Sequence, residues 1–242
     1  MKLPKANLHI HSNYSDGKNS IKRIVKRALK LGLDYIAITD HFSNSWKADI
    51  INTLNSKEKI KNYLDEISVF QEYIANNNLG LKLLKGIEID LGSSEEYIKE
   101  FVQPAKFDLI LFEYLETLEG IKFIKIIINY WKESNLKMKN KPIFALAHFD
   151  PSYFIDKALD RLIDFLSKYE IYYEFNTRYP EFYSTKYELF FDELKKENIP
   201  TTIGSDSHNL MRLDDIDEGL KRVKYFNLQD NYLTLLSLLK KL

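Results

Sequence analysis

Near its start the chain reads Ala6-Asn7-Leu8-His9-Ile10-His11, a stretch predicted to form a β-strand that ends in two histidines. Further short apolar or β-branched runs follow and alternate with longer runs of helical periodicity. This alternation favours parallel β/α units over segregated strands and helices. The predicted strands are residues 6–10, 35–39, 81–89, 107–112, 143–147, 171–175 and 201–203. Seven units predict an α/β barrel lacking one of the usual eight, with an open doubly wound sheet as the alternative.

Helices are predicted between these strands. The first begins after Ser20 and ends at Gly32, and the second begins after Ser56 and ends near residues 76–78, because these residue types favour helix ends. Further predicted helices cover residues 95–101, 121–134, 157–168 and 186–197, and a final helix over residues 231–241 is expected to pack on the outside. No linker or repeated block interrupts the pattern, so residues 1–242 are expected to form a single domain.

The composition excludes several classes of protein. The 242 residues are 45% hydrophobic and 29% charged, as in globular proteins. The 35 basic residues balance 35 acidic ones, so the diffuse attraction behind non-specific nucleic-acid binding is missing. Because cysteine is absent, disulfides and thiolate ligands are excluded. No secretory signal or membrane segment is recognised, which predicts a cytoplasmic protein.

All five histidines lie at the carboxyl ends of predicted strands, and carboxylates accompany them. Because those ends converge on one face of a parallel β/α fold, residues distant in sequence can meet there. The residues concerned are His9, His11, His41, His148 and His208, with Asp16, Asp40, Glu88 and Asp206. His9 and His11 are two positions apart on a strand, so their side chains point the same way and can bind one metal. Imidazole and carboxylate ligands without thiolates suit Zn, Mn or Fe.

The order of these motifs resembles that of the PHP superfamily, the polymerase and histidinol phosphatase superfamily of metal-dependent phosphoesterases. The matching phrases are His9 to Gly17, Thr39-Asp40-His41, Gly86 to Asp90, Ala147-His148 and Gly204 to His208. They span nearly the whole chain. Its first half resembles the PHP domain of bacterial family X DNA polymerases as much as it resembles histidinol phosphatases.

The resemblance implies a distorted seven-stranded, TIM-like (β/α)7 barrel that holds two or three divalent metal ions at the carboxyl ends of its strands. The ligands it implies fall into three groups: His9, His11 and Asp206 for a first metal; Glu88, as a bridge, and His148 for a second; Asp16, His41 and His208 for a third. Among them, His9, His11, Glu88 and Asp206 are the predicted catalytic residues.

One strand end departs from the family pattern. The family usually has a histidine after the fourth strand, and here Leu115 takes its place. Either the second metal is weakly held or absent, or Glu113 or Glu116 supplies an oxygen ligand, which would favour a harder metal such as Mn. Glu113 is preferred because it lies nearer the strand end. The remaining alternative is that both glutamates are solvated loop residues.

The chemistry implied by the resemblance is hydrolysis of a small phosphomonoester, such as histidinol phosphate, a nucleotide or a sugar phosphate, by a metal-bound hydroxide. Arg178, after the sixth strand, is a candidate to bind the phosphate. Asp40 is a candidate acceptor that fixes an imidazole tautomer, with a surface role as the alternative. Aromatic residues in predicted loops could stack on a base or an imidazole ring, namely Trp46, Tyr153, Tyr179, Phe182 and Tyr183.

Three other functions stay open. A 3′-5′ exonuclease or cyclic-nucleotide phosphodiesterase is less favoured because the chain has no net charge and no attached nucleic-acid module. A metal-dependent amidohydrolase is disfavoured because the motifs supply a third metal position that such enzymes lack. A catalytically silent binding module is supported by Leu115, which replaces the histidine usual in the family. The expected partner is a small phosphorylated substrate and not a membrane.

Overall fold

The computed structural model describes residues 3–134 and 141–242. Within these ranges every strand pairing is parallel. The strands are β1 (Ala6–Asn7), β2 (Tyr35–Ile38), β3 (His41–Phe42), β4 (Lys82–Asp90), β5 (Leu109–Glu113), β6 (Ile143–Leu146), β7 (Ile171–Asn176) and β8 (Thr201–Gly204). Their order is β1-β2-β4-β5-β6-β7-β8, and the short β3 pairs with β4 beyond the end of β2.

The first and last strands meet and close the sheet. The backbone N–H of Leu8 donates to the carbonyl of Ile203 at 2.9 Å, and that of His11 donates to Ser207 at 3.0 Å. Closure satisfies backbone groups that an open sheet would leave at its edges. The predicted seven-stranded α/β barrel is confirmed, and the open doubly wound sheet is wrong; β3 is a short extra strand that the sequence-based prediction missed.

The predicted helices are present with ends shifted by at most three residues, and α7 and α8 follow the last strand. They are α1 (Ile21–Leu31), α2 (Lys57–Asn76), α3 (Glu95–Phe101), α4 (Leu118–Ser134), α5 (Leu159–Tyr169), α6 (Glu188–Lys196), α7 (Asp217–Tyr225) and α8 (Gln229–Leu239). Helix α7 was not predicted, because it is short and polar: five of its nine residues are charged, and the buried ones are Gly219 and Val223. None of the helices in the described ranges is long and apolar enough to cross a membrane.

The local sequence explains how two of these helices begin and end. Ser56 accepts a hydrogen bond from the Lys59 N–H and so caps α2, whereas Ser20 precedes α1 without forming a side-chain cap. Gly32 ends α1 with φ of 65°, and its N–H bonds to the carbonyls of Ala28 and Leu29.

Three strand ends turn sharply at residues with positive φ. Tyr114 follows β5 with φ of 66°, His148 follows β6 with φ of 34°, and Asp206 follows β8 with φ of 48°. Side chains other than glycine rarely adopt this region, and where they do the strain is commonly associated with functional sites. All three residues lie at the carboxyl-end mouth of the barrel, where the predicted ligands gather.

Candidate metal centre

Histidine and carboxylate atoms gather in three groups at the mouth of the barrel. Within each group the potential ligand atoms lie within 4.8 Å of one another. The groups are His9, His11 and Asp206; His11, Asp16, His41 and His208; and His41, Glu88 and Glu113. His148 adjoins the last group, with Nε2 3.2 Å from Glu88 Oε1. The fold therefore brings together all nine residues that were predicted as metal ligands.

In the first group two imidazoles face the same point. His9 Nε2 lies 3.0 Å from His11 Nε2, and His11 Nε2 lies 3.2 Å from Asp206 Oδ1. Two nitrogens bound to one tetrahedral Zn²⁺ would lie about 3.3 Å apart, given Zn–N bonds of about 2.0–2.1 Å. The spacing thus fits two ligands that converge on one cation.

Glu88 lies at the centre of the site and is fully buried. Its Oε1 is 3.3 Å from His9 Nε2 and 3.2 Å from His148 Nε2. Its Oε2 is 2.8 Å from His41 Nδ1 and 3.5 Å from His11 Nε2. Even so, neither oxygen makes a hydrogen bond of acceptable geometry within the described part of the chain. A buried carboxylate without hydrogen bonds is costly, and divalent cations between it and the imidazoles would satisfy both oxygens.

The remaining group surrounds Asp16. Its Oδ2 lies 3.0 Å from His208 Nε2, and its Oδ1 lies 3.7 Å from His41 Nε2. The His11 ring stacks against the rings of both His41 and His208, with a centroid distance of 4.3 Å to each. His11 Nδ1 is buried and finds no hydrogen-bond partner among the described residues. A cation near Asp16 would therefore also satisfy an imidazole nitrogen.

The carboxylates of the centre shift the pKa values of the histidines beside them. Burial alone would lower the pKa of His41 and His148, but Glu88 and Glu113 raise both values to about 10. Burial and the neighbouring His41 lower the pKa of His11 to about 4. Burial would raise the pKa of Glu88, but the imidazoles of His9 and His41 hold it well below its ordinary value. Protons on His41 and His148 thus balance charge that divalent cations could balance instead.

Glu174, on β7, is a functional residue that sequence reasoning missed. Its Oε1 lies 2.9 Å from His9 Nδ1, and its Oε2 accepts hydrogen bonds from the His148 N–H at 2.7 Å and from Asn176 Nδ2 at 3.0 Å. A carboxylate on Nδ1 orients an imidazole so that Nε2 can bind metal. The signal was present, since Glu174 is a charged residue inside a buried apolar strand.

Asp40 has a different role from the one predicted. It was expected to fix an imidazole tautomer, but its carboxylate accepts hydrogen bonds from the N–H and hydroxyl groups of both Ser12 and Ser15. The backbone after β1 bends towards Asp40, which can therefore satisfy four donors at once. Asp40 fixes the loop that carries Asp16, and Glu174 orients the imidazole of His9.

At the departure from the family pattern, the structure brings Glu113 into the centre. Glu113 is fully buried, with Oε1 3.5 Å from His41 Nδ1 and Oε2 3.7 Å from His148 Nε2. Its two oxygens also contact Nζ of Lys47, at 2.7 and 2.6 Å. Glu116 is exposed and outside the three groups of ligands. Lys47 was not predicted as a site residue, because it lies on a 3-10 helix, Trp46–Asp49, and not at the carboxyl end of a strand.

Arg178 stands at the edge of the centre. Its Nη1 lies 3.3 Å from Asp206 Oδ2 and 3.2 Å from His208 Nδ1, and its side chain is 41% exposed. Arg178, Lys47 and His41 help to line a cavity of about 210 Å³. An incoming anion would meet these cationic groups there.

A second cavity, of about 140 Å³, adjoins His148. Aromatic and acidic residues contribute to its walls: Tyr114, Tyr153, Tyr179 and Phe182, with Glu116 and Asp150. The rings of Tyr179 and Phe182 stack with centroids 5.3 Å apart. Trp46 is mostly exposed and lines the cavity next to Arg178. Tyr183, predicted to lie near the site, is instead fully buried in the hydrophobic core.

Comparison with known proteins agrees with this architecture. A family model for the PHP domain matches residues 7–178. The DNA polymerase/3′-5′ exonuclease PolX of Bacillus subtilis is 26% identical over 228 residues, which cover 89% of this chain. The chain spans only about a third of that protein, 36% of its length. A probable histidinol-phosphatase of Thermotoga maritima is 25% identical over 240 residues, and the match covers 92% of both chains.

Solved structures share the fold. A histidinol phosphate phosphatase of Lactococcus lactis, determined with zinc, L-histidinol and phosphate, superposes with a TM-score of 0.63 at 17% identity. That match covers 93% of this chain and 94% of the other. A second solved structure comes from work on the metal-dependent tyrosine phosphatases YwqE of Bacillus subtilis and CpsB of Streptococcus pneumoniae, and it superposes with a TM-score of 0.54 at 14% identity. That match covers 91% of this chain and 86% of the other. At these identities the likeness establishes the barrel.

Proposed function

Because the chain belongs to the PHP domain family, we propose that it is a metal-dependent phosphoesterase that hydrolyses a small phosphomonoester. The observation that carries the proposal is the environment of Glu88. Four histidines, His9, His11, His41 and His148, lie within 3.5 Å of a buried carboxylate that makes no hydrogen bond within residues 3–134 and 141–242. Such a cluster is costly as packing and well suited to binding metal ions.

The donor set fits two or three divalent ions, with Zn, Mn and Fe as the candidates. His9, His11 and Asp206 would hold one, Asp16, His41 and His208 another, and Glu88 would lie between metals. Divalent ions in such a site lower the pKa of water and neutralise charge on phosphoryl oxygens. The Lactococcus relative determined with zinc and phosphate supports this assignment.

The residues of the chain itself would bind and orient the substrate. Arg178 is already near Asp206 and His208, and its partly exposed guanidinium can form a two-point contact with a phosphate. Glu174 holds the His9 ring in the orientation that ligation needs. The phosphate would enter the cavity lined by Arg178.

The leaving group would occupy the second cavity, beside His148. Its aromatic walls suit a flat ring, and the carboxylates of Glu116 and Asp150 suit a cationic amine. Among the three substrate classes considered, histidinol phosphate combines a flat aromatic ring with a cationic amine, whereas a nucleotide has the flat ring alone and a simple sugar phosphate has neither. Histidinol phosphate is therefore the substrate we favour, in agreement with the names of two relatives.

The test is hydrolysis of a substrate panel by protein that has been stripped with a chelator and reloaded with Mn, Zn, Fe(II) or Co. We expect the highest kcat/KM for histidinol phosphate, with nucleoside monophosphates and sugar phosphates below it. His11→Ala should abolish activity, because it removes an imidazole from two of the groups. A lack of hydrolysis with every metal would overturn the proposal.

A nuclease is the second candidate, favoured by the likeness to the PolX polymerase/exonuclease. The balanced charge of the chain argues against it, since nucleic-acid binding draws most of its affinity from phosphate contacts. Release of nucleotides from end-labelled single-stranded DNA, falling steeply with salt, would favour the nuclease over the phosphatase.

A further inference from the structure

Lys47 places a cation inside the candidate metal centre. Only 7% of its surface is exposed, and Nζ lies 2.7 and 2.6 Å from the two oxygens of Glu113, which is fully buried. A buried ammonium needs a charged or strongly polar partner, and here the partner is a carboxylate of the centre itself. Both oxygens of Glu113 are therefore in contact with the Lys47 ammonium.

Glu113 is also the carboxylate that a second metal would need. Leu115 offers no ligand atom, so the remaining donors around that position are Glu88, His148 and Glu113. A divalent ion on Glu113 would lie in contact range of the Lys47 ammonium, and like charges so close in a buried site repel strongly. The ammonium and the second metal therefore compete for one carboxylate.

The position of Lys47 is built into the barrel. Its backbone N–H donates to the hydroxyl of Ser45 at 3.2 Å, and that hydroxyl donates to the carboxylate of Asp90. Ser43 donates to the same carboxylate oxygen at 2.8 Å. Asp90 is buried and lies on β4, two residues after Glu88. A hydrogen-bonded chain thus ties the turn that carries Lys47 to the strand that carries the central ligand.

We propose that the Lys47 ammonium replaces one of the three metal ions that the family resemblance implies for the centre. The site then takes two divalent metals, one on His9, His11 and Asp206 and one on Asp16, His41 and His208, with Glu88 beside both. Lys47 supplies the third positive charge through Glu113. The inference deepens the proposed function, since it concerns the cations of the same centre.

Counting metals tests it. Protein saturated with Mn or Zn and freed of excess metal is measured by inductively coupled plasma mass spectrometry, and the ions are located by anomalous diffraction. We expect two ions per chain in the wild type and a third, on Glu113, in Lys47→Met. Lys47→Arg should keep two, because it retains the charge. Lys57→Met is the matched control, since Lys57 is exposed and pairs with Glu100 outside the centre.

Three ions in the wild type would overturn the inference, as would two in Lys47→Met. Should Lys47→Met fail to fold by circular dichroism, the wild type decides: two ions with Nζ on Glu113 support the inference, and an ion on Glu113 refutes it. The count is independent of catalysis. A protein with two metals and no phosphatase activity would refute the proposed function alone, and an active protein with three metals would refute this inference alone.

Discussion

His9 Nδ1 lies 2.9 Å from Oε1 of Glu174, and both side chains are buried. The other oxygen of Glu174 accepts the backbone N–H of His148 at 2.7 Å. One carboxylate on β7 therefore contacts two predicted ligands that follow other strands, β1 and β6. Burial would lower the pKa of His9, but Glu174 and Glu88 raise it well above its ordinary value.

Glu174→Gln should weaken metal binding by about 10–100-fold, the usual cost of altering a group that supports a metal ligand. The amide keeps the shape of the side chain and loses the charge that makes His9 a better ligand. Competition with a chromophoric chelator measures the affinity. Glu181→Gln, at an exposed position, is the control. Equal affinities for the two variants would show that Glu174 does not support the centre.

Gly204→Ala should destabilise the protein and displace Glu174. A Cβ at this position would lie 1.9 Å from Glu174 Oε1 and 2.5 Å from His9 Cβ, so both side chains must move. Overpacking of this kind costs about 1–3 kcal/mol, and each kcal/mol lowers Tm by about 2–4 °C in a chain of this size. Thermal denaturation measures the loss. Gly80→Ala meets no atom within 4 Å and should change Tm little; equal losses in both variants would contradict the packing argument.

Chelator-treated protein should lose stability as the pH rises from about 6.5 to 10. Burial opposes protonation of His41 and His148, but Glu88 and Glu113 raise their pKa to about 10. Because the pKa is higher in the folded state, protonation of these histidines stabilises the fold, and this contribution is complete below the unfolded-state pKa of about 6.5. It is lost as the pH rises through the folded-state pKa. Tm measured across this range tests it. Metal-loaded protein is the control, and its Tm should fall less over this range, because the imidazole of His41 would then be a metal ligand and already deprotonated. A Tm that rises or stays flat without metal would refute the prediction.

Arg178→Lys should raise KM for the phosphomonoester and the inhibition constant for inorganic phosphate by about 10–150-fold. A lysine keeps the charge but cannot form the two-point contact of a guanidinium, and a hydrogen bond to a charged group contributes about 1.5–3 kcal/mol. Steady-state kinetics measures both constants, and metal content should stay unchanged. Arg212→Lys is a matched control, since its side chain is also 41% exposed and it pairs with Asp215. If both variants behave alike, Arg178 does not bind the phosphate.

The parts of the fold that sequence could predict are those with a strong local signal. Strands such as β6 are apolar along their whole length, because both faces are buried. Helix α7 and strand β3 were missed, the first because it buries little and the second because two residues, His41 and Phe42, carry no recognisable period. Asp40 was assigned to the correct region but to the wrong partner, since its neighbours in space are Ser12 and Ser15.

The sequence by itself determined the barrel and the gathering of histidines and carboxylates at its mouth, because strand periodicity is local and parallel topology brings all strand ends to one face. Only the tertiary structure decided which groups pair there. Lys47 meets Glu113 across 66 positions and His9 meets Glu174 across 165. Such contacts depend on how loops and strand ends orient each side chain. No local sequence pattern specifies the direction in which a side chain points.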